Sequence, residues 1–213
     1  MSTELEHLSP VTQDFLKAIW SAEEWGGGPI STKALAERFG TSSASVTDTV
    51  KRLAAADLVT YTPYKPVRLT DVGRRHAVQM VRRHRLLEMY LVSMLDYSWT
   101  EVHDEAERLE HAVSDLFVSR IDALMGHPTA DPHGDPIPDA EGRMDHPDRA
   151  VVLLQAQADA PHRVDRVDDS ENDVLTAAEE HGCVPGAHIV PGDLLAQAPD
   201  LAEAVWVTPL HDS

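Results

Sequence analysis

A single cysteine, Cys183, stands in 213 residues, so no disulfide can form within the chain, and a reducing cytoplasm suits it. Placed between Gly182 and Val184-Pro185-Gly186, it reads as a small packing residue at a turn into a strand rather than as a nucleophile. No apolar run approaches the length of a membrane span, and the polar, partly acidic residues 1–7 resemble neither a signal peptide nor an anchor. No internal repeat is present. Basic residues are scarce: 18 Lys and Arg face 36 Asp and Glu, a net charge of -18. At first sight this argues against a nucleic-acid partner. The charge is uneven, however. Residues 1–75 hold nine basic and nine acidic residues, and residues 76–213 hold nine basic and 27 acidic. The neutral first segment keeps its own basic cluster, while the acidic remainder suits cation binding or simple solubility.

The length allows one large domain or two to three small ones. Ser9-Pro10 is a helix start, and the helix over 11–25 is expected to bury Val11, Phe15, Ile19 and Trp20, with Asp14 complementing its N-terminus. Gly26-Gly27-Gly28-Pro29 ends it. Ser31 caps a helix over 32–39, Gly40-Thr41 makes a tight turn, and Ser42 or Ser43 starts a third helix through Val46, Val50 and Leu53. Helix, glycine turn and helix form a helix-turn-helix pattern, for which the alternative is a plain three-helix core. The exposed side of the third helix carries Ser42, Ser43, Ser45, Thr47, Asp48, Lys51 and Arg52. Short hydroxyl residues let a backbone approach a groove, Lys51 and Arg52 can reach phosphates, and Asp48 can accept from a cytosine amino group or face away. Strands over 58–62 and 67–70, joined by Pro63-Tyr64-Lys65-Pro66, make a wing that offers Tyr64, Lys65 and Arg68 to double-stranded DNA.

Two long helices are expected next, over 72–95 and 101–125. The first places His84 and Glu88 at i and i+4. The second places Glu107, Glu110 and His111 at i, i+3 and i+4, with His103 one turn earlier. Carboxylates and imidazoles at helical spacing, with apolar residues between them, are what a divalent-metal site on a helical bundle needs. The alternative is a solvated acidic face. Arg82, Arg83 and Arg85 are either phosphate contacts or partners of the acidic helix. The second helix has more apolar positions than one shallow contact would bury, which points to packing between two copies of the chain. Residues 127–148, rich in Pro, Gly, His and Asp, read as a linker. Short strands with Pro/Gly turns follow, around a helix over 173–180, and suggest a small β-barrel. The expected fold is mainly α with a β-rich C-terminal domain. Its parts are a winged helix-turn-helix over 1–75, a helical metal-binding and dimerisation domain over 76–126, the linker, and a barrel over 149–213.

The order of these motifs resembles the diphtheria-toxin-repressor family of metal-dependent transcriptional regulators. The resemblance is carried by residues 53–58, Leu69-Thr70 with Gly73, Arg83-His84-Arg85-Leu86 with Glu88, residues 102–115, and His133-Gly134-Asp135-Pro136-Ile137-Pro138. It implies a homodimer on operator DNA, no organic cofactor, no enzymatic activity, and an SH3-like C-terminal barrel. It implies further that Asp14, Glu107, Glu110 and His111 ligate one metal ion, and that His84, Glu88 and His103 ligate a second. An oxygen ligand for the second ion would come from residues 168–173, with Glu171 first and Asp173 second in preference. Asp14 and Glu107 stand where iron-sensing members carry sulfur, so the hard donor set resembles the manganese-sensing branch. Lys17 replaces a glutamate of the short manganese sensors, which points to the His84/Glu88/His103 arrangement. The implied function is manganese-activated repression of metal-uptake genes, with iron(II) as the alternative effector and a metal-independent DNA-binding dimer as a further one. A metallohydrolase would need an open coordination position and a base in a cleft, and no such second constellation is visible.

Overall fold

The computed structural model describes residues 7–210. The chain forms two compact units, one running up to Arg83 and including Ala140–Gly142, the other comprising His84–Asp139 and the chain from Arg143 onward.

The first unit holds α1 (Pro10–Glu24), α2 (Thr32–Arg38), α3 (Ser43–Ala55), the hairpin β1 (Val59–Thr60) and β2 (Arg68–Leu69), and the first half of α4 (Asp71–Leu95). Each start has a side-chain cap. Ser9, Ser31 and Ser42 accept the N–H groups of Thr12, Ala34 and Ser45. The turn between α2 and α3 closes as a Schellman motif: Gly40 is left-handed at φ +58°, its N–H meets the Glu37 carbonyl, and the Thr41 N–H meets the Ala36 carbonyl. Asp57, at φ 58°, repeats the device after α3 and swings the chain into β1. Thr70 then caps α4, accepting the Gly73 N–H at 3.0 Å and donating to the Asp57 carbonyl at 2.6 Å. A side chain at Gly73 would run into the Leu58 carbonyl, so the hairpin and α4 approach as closely as glycine allows. Leu16, Ile19, Leu35, Val46, Val50, Val67 and Met80 make the core, with Phe15 stacked on Phe39 at 4.5 Å. Val11 departs from expectation: it lies one turn ahead of the covered stretch of α1 and is 52 % exposed.

The second unit begins with the second half of α4, followed by α5 (Val102–Leu109) and α6 (Asp115–Leu124). The single helix expected over 101–125 is thus two. Ser114 accepts the Phe117 N–H at 3.2 Å and Asp115 follows it, so a capped start interrupts the run. Leu86, Leu87, Leu91, Val102, Ala106, Val118, Ile121 and Ile137 pack together, while Leu116, Phe117 and Leu124 on α6 stay exposed, as do Met94 and Leu95 on α4.

The expected linker is partly a folded strap. Asp131, His133 and Asp135 are buried, and Ala130 bridges Pro136. One Asp131 oxygen accepts the N–H groups of both His133 and Asp135 at 2.9 Å, which closes the loop around Gly134 at φ +92°. The strap lies on β4 (His162–Val167): the Val167 N–H donates to the His133 carbonyl, and a Cβ at Gly134 would strike the Asp165 carbonyl.

The C-terminal region is a four-stranded antiparallel sheet in the order β3-β6-β4-β5, with β3 (Val151–Val152), β5 (His188–Ile189) and β6 (Val205–Pro209). It carries α7 (Asn172–Glu180) and α8 (Pro191–Gln197). This small antiparallel sheet occupies the β-rich C-terminal region expected as a small SH3-like barrel, with β3 and β5 at the ends of its strand order. Both edge strands are two residues long because Leu153–Gln155 turns into a 3₁₀ helix and Pro191 starts α8. Leu153, Val164, Leu175, Leu201, Val205 and Val207 fill its core, and burial there pushes the Cys183 thiol up to about 12.

Candidate metal centre

Within the second unit, four donor atoms from three elements converge. α4 supplies His84 and Glu88, one turn apart; α5 supplies His103; the turn after β4 supplies Asp169. His84 Nε2 lies 3.0 Å from Glu88 Oε1 and 3.3 Å from His103 Nδ1. His103 Nδ1 lies 3.1 Å from the same Glu88 oxygen and 2.8 Å from Asp169 Oδ2. One donor from each residue falls within 4.8 Å of all the others. With metal–ligand bonds of about 2.1 Å, donors at right angles around one ion sit about 3 Å apart, so these separations suit neighbouring ligands of a single ion.

Another histidine, His133, adjoins this group through Glu88 and Asp169. Its Nε2 is 2.9 Å from the Trp99 carbonyl. A carbonyl only accepts, so the proton is on Nε2, and Nδ1 presents a lone pair in the neutral ring. That Nδ1 is buried without a hydrogen-bond partner, 4.0 Å from Glu88 Oε1 and 3.8 Å from Asp169 Oδ2. Glu88 Oε2 is buried without one too. Glu88, Asp131 and His133 form a further convergent triad.

The charges respond to this crowding. Burial opposes ionisation of Glu88, yet the His84 charge and hydrogen bonds from His103 and His84 hold its carboxyl down at about 2. Burial opposes the charged form of His103 as well, but Asp169 and Glu88 raise it to about 11. Asp169 is partly buried, which opposes its ionisation, yet the hydrogen bond and charge of His103 keep it well below the usual carboxylate range. Burial, with Asp135 and Glu88 close by, pushes Asp131 up.

The acidic residue brought in from 168–173 is Asp169, not the preferred Glu171 or Asp173. Glu171 is the residue before α7, and Asp173 lies in the helix's first turn; both are exposed and line the adjoining cleft. Glu110 follows the end of α5, is 1 % exposed, and accepts from His84 Nδ1 at 2.6 Å. His111 Nε2 is 3.6 Å from Glu110, and Glu107 is half exposed, 3.7 Å from His103. In the first unit, Asp14 sits in the second turn of α1. Sequence reading missed Asp169, Asp131 and His133, although His133-Gly134-Asp135 had been noticed as a motif.

Arg85 is no phosphate contact. It is buried, donating to the Pro136 carbonyl at 2.7 Å and pairing with Asp131 and Asp135 at 3.6 and 3.2 Å. Of the residues expected at DNA, Ser42, Ser43, Ser45, Asp48, Lys51 and Arg52 lie exposed on or beside α3. Thr47 is half-buried and donates back to the Ser43 carbonyl. Asp48 pairs with Lys51 at 3.8 Å. Tyr64 and Lys65 project from the wing tip, where Tyr64 is at φ 64°, and Arg68 is 3.7 Å from Glu23. No helix among the described residues is long and apolar enough to cross a membrane.

A helix-turn-helix unit with a wing, together with a second, helical unit whose histidines and carboxylates converge, defines a metal-dependent DNA-binding regulator. Comparison with known proteins gives the family. The profile described as the iron dependent repressor N-terminal DNA binding domain matches residues 7–67, and that of its metal binding and dimerisation domain matches residues 70–139. The iron-dependent repressor IdeR of Mycobacterium leprae (strain TN) is 31 % identical over 197 residues, which are 87 % of this chain and 85 % of that protein. The diphtheria toxin repressor of Corynebacterium efficiens is 30 % identical over 226 residues, 95 % of this chain and 97 % of that one. A manganese-dependent transcriptional repressor solved in complex with manganese is 40 % identical with a TM-score of 0.82, covering 93 % of this chain and 100 % of that one. The structure of ScaR with bound Zn2+ is 32 % identical with a TM-score of 0.78, over 93 % and 99 %. The chain belongs to the iron-dependent repressor family, which includes the diphtheria toxin repressor. It is a metal-dependent transcriptional repressor and not an enzyme.

Proposed function

We propose that the protein is a manganese-activated repressor that binds double-stranded operator DNA as a homodimer and controls metal-uptake genes. The observation that carries the metal part is the convergence of His84 Nε2, Glu88 Oε1, His103 Nδ1 and Asp169 Oδ2, backed by the unpartnered His133 Nδ1. The first four are the proposed ligands of one ion, and His133 adjoins them. Asp14, Glu107, Glu110 and His111 are proposed as ligands of the other, on the family resemblance. Oxygen at Asp14, Glu107 and Asp169, with no cysteine near either set, favours a hard ion. The manganese-dependent repressor of similar structure supports the same choice.

Bound ions neutralise carboxylates that otherwise repel one another, and so favour the arrangement in which two recognition helices meet successive major grooves. The coupling needed is modest: about 1–3 kcal/mol changes DNA affinity by roughly 5- to 150-fold. Ser42, Ser43, Ser45, Asp48, Lys51 and Arg52 are the proposed groove and phosphate contacts, with Tyr64, Lys65 and Arg68 on the wing. Iron(II) is the second reading, favoured by the iron-dependent relatives.

Fluorescence anisotropy with a duplex from the chain's own upstream region tests this, a random duplex serving as control. Manganese gives tight specific binding, chelator removes it, and Glu110→Gln abolishes the metal response while leaving the circular dichroism intact. Stronger activation by iron(II) under anaerobic conditions would replace manganese by iron. Equal binding with and without metal would overturn the metal-sensor reading.

A further inference from the structure

The four-donor cluster is closed on its helix side and open on another. His84 and Glu88 are 6 % and 0 % exposed, whereas His103 and Asp169 line a cleft of about 250 Å³. Its other walls are Asp104, Ser170, Glu171, Asn172 and Asp173. Asp104, Glu171 and Asp173 are exposed and make no ion pair among the described residues. Neither Glu171 nor Asp173 places an oxygen in the convergent group. Glu88 and His133 do not line the cleft but sit next to its wall: Glu88 Oε1 is 3.1 Å from His103 Nδ1, His133 Nδ1 is 3.8 Å from Asp169 Oδ2, and Glu88 Oε2 and His133 Nδ1 are buried without a hydrogen-bond partner. The cleft therefore joins three solvated carboxylates to His103 and Asp169, the two accessible members of the convergent donor set.

We propose that Asp104, Glu171 and Asp173 form a loading mouth for the divalent cation. They attract the hydrated ion, hold it through its waters, and pass it to Asp169 and His103; they are not ligands of the seated ion. This rests on the reading of His84, Glu88, His103 and Asp169 as a metal site. Unpaired carboxylates around a concave opening focus the field and raise the arrival rate of a cation, by about 10- to 1,000-fold in strong cases. Because they are exposed, their pull fades with salt: the screening length is about 10 Å at 0.1 M and about 3 Å at 1 M. A direct ligand behaves differently, since its loss speeds dissociation at any ionic strength.

The test uses the full chain and MnCl2 alone, mixed by stopped flow with a fluorescent chelator reporting the free ion. The phase that Glu88→Gln abolishes belongs to this site. In Asp104→Asn/Glu171→Gln/Asp173→Asn, the association rate of that phase falls about tenfold at low salt and comes within about twofold of the native chain near 1 M. Its dissociation rate and the electron paramagnetic resonance spectrum of the bound ion stay unchanged. An unchanged association rate would overturn the loading mouth. Faster dissociation with an altered spectrum would overturn it in favour of direct ligation. If the native chain shows no phase that depends on Glu88, the metal-site reading itself fails, and the mouth with it.

Discussion

His103 is where proton and metal ion compete. Its Nδ1 lies between Glu88 Oε1 and Asp169 Oδ2, and these two carboxylates hold the imidazolium up to about 11. An arriving cation needs the lone pair that this proton occupies. Below about pH 11 the ring is protonated, so binding at this site expels a proton at neutral pH. Manganese affinity should therefore rise as pH rises, by about tenfold per unit for each proton displaced. Calorimetry in two buffers of different ionisation enthalpy checks this: the heats should differ by at least one proton per ion at this site. Identical heats would mean that His103 is not a ligand. At this scale the sequence was legible where spacing sets contact. His84 and Glu88 are one helical turn apart and meet. Asp169 was not legible, because Asp168, Asp169, Glu171 and Asp173 lie within six residues and only the path of the chain after β4 decides which reaches His103.

Among the elements, α6 has an apolar face that no described residue covers. Leu116 and Leu124 are 66 % and 63 % exposed, and the Phe117 ring meets only the edge of Tyr90, at 6.1 Å, among the aromatic contacts of α6. Exposed apolar groups so close together mark an interaction surface, and they fall inside the profile of a dimerisation domain. Phe117→Glu should convert a dimer to a monomer in sedimentation velocity with helicity unchanged; a dimer that persists would place the interface elsewhere. The first three helices could be read almost to the residue, because Ser9, Ser31 and Ser42 are caps and Gly40 is a stop. The break between α5 and α6 was hidden, since apolar positions continue in helical register across Ser114. The strap at Asp131–Ile137 was hidden for another reason: Pro, Gly and Asp compose a linker and a tight buried turn alike. What separates the two is Asp131 accepting two N–H groups, which composition does not contain.

The whole molecule divides its charge. All of the -18 lies after residue 75, and the winged-helix segment has a net charge of zero, with Lys51 and Arg52 on α3 and Lys65 and Arg68 on the wing among its nine cations. A repressor built this way cannot rely on overall attraction to DNA. Its affinity must come from a few well-placed cations, each releasing counterions from the phosphates. Lys51→Ala, applied to both copies in a dimer, should weaken binding to every sequence alike and make the slope of log affinity against log salt shallower by about two. A loss confined to one operator sequence would instead make Lys51 a base reader.

Trp99 stands between the metal-binding helices and the C-terminal sheet of the second unit. Its ring lies 5.4 Å from that of His133, its indole N–H is fixed on the Pro132 carbonyl, and it packs on the C-terminal core. Should the proposed manganese ion bind beside His133, it would quench the emission of this indole, and the native chain would report its own occupancy without a dye.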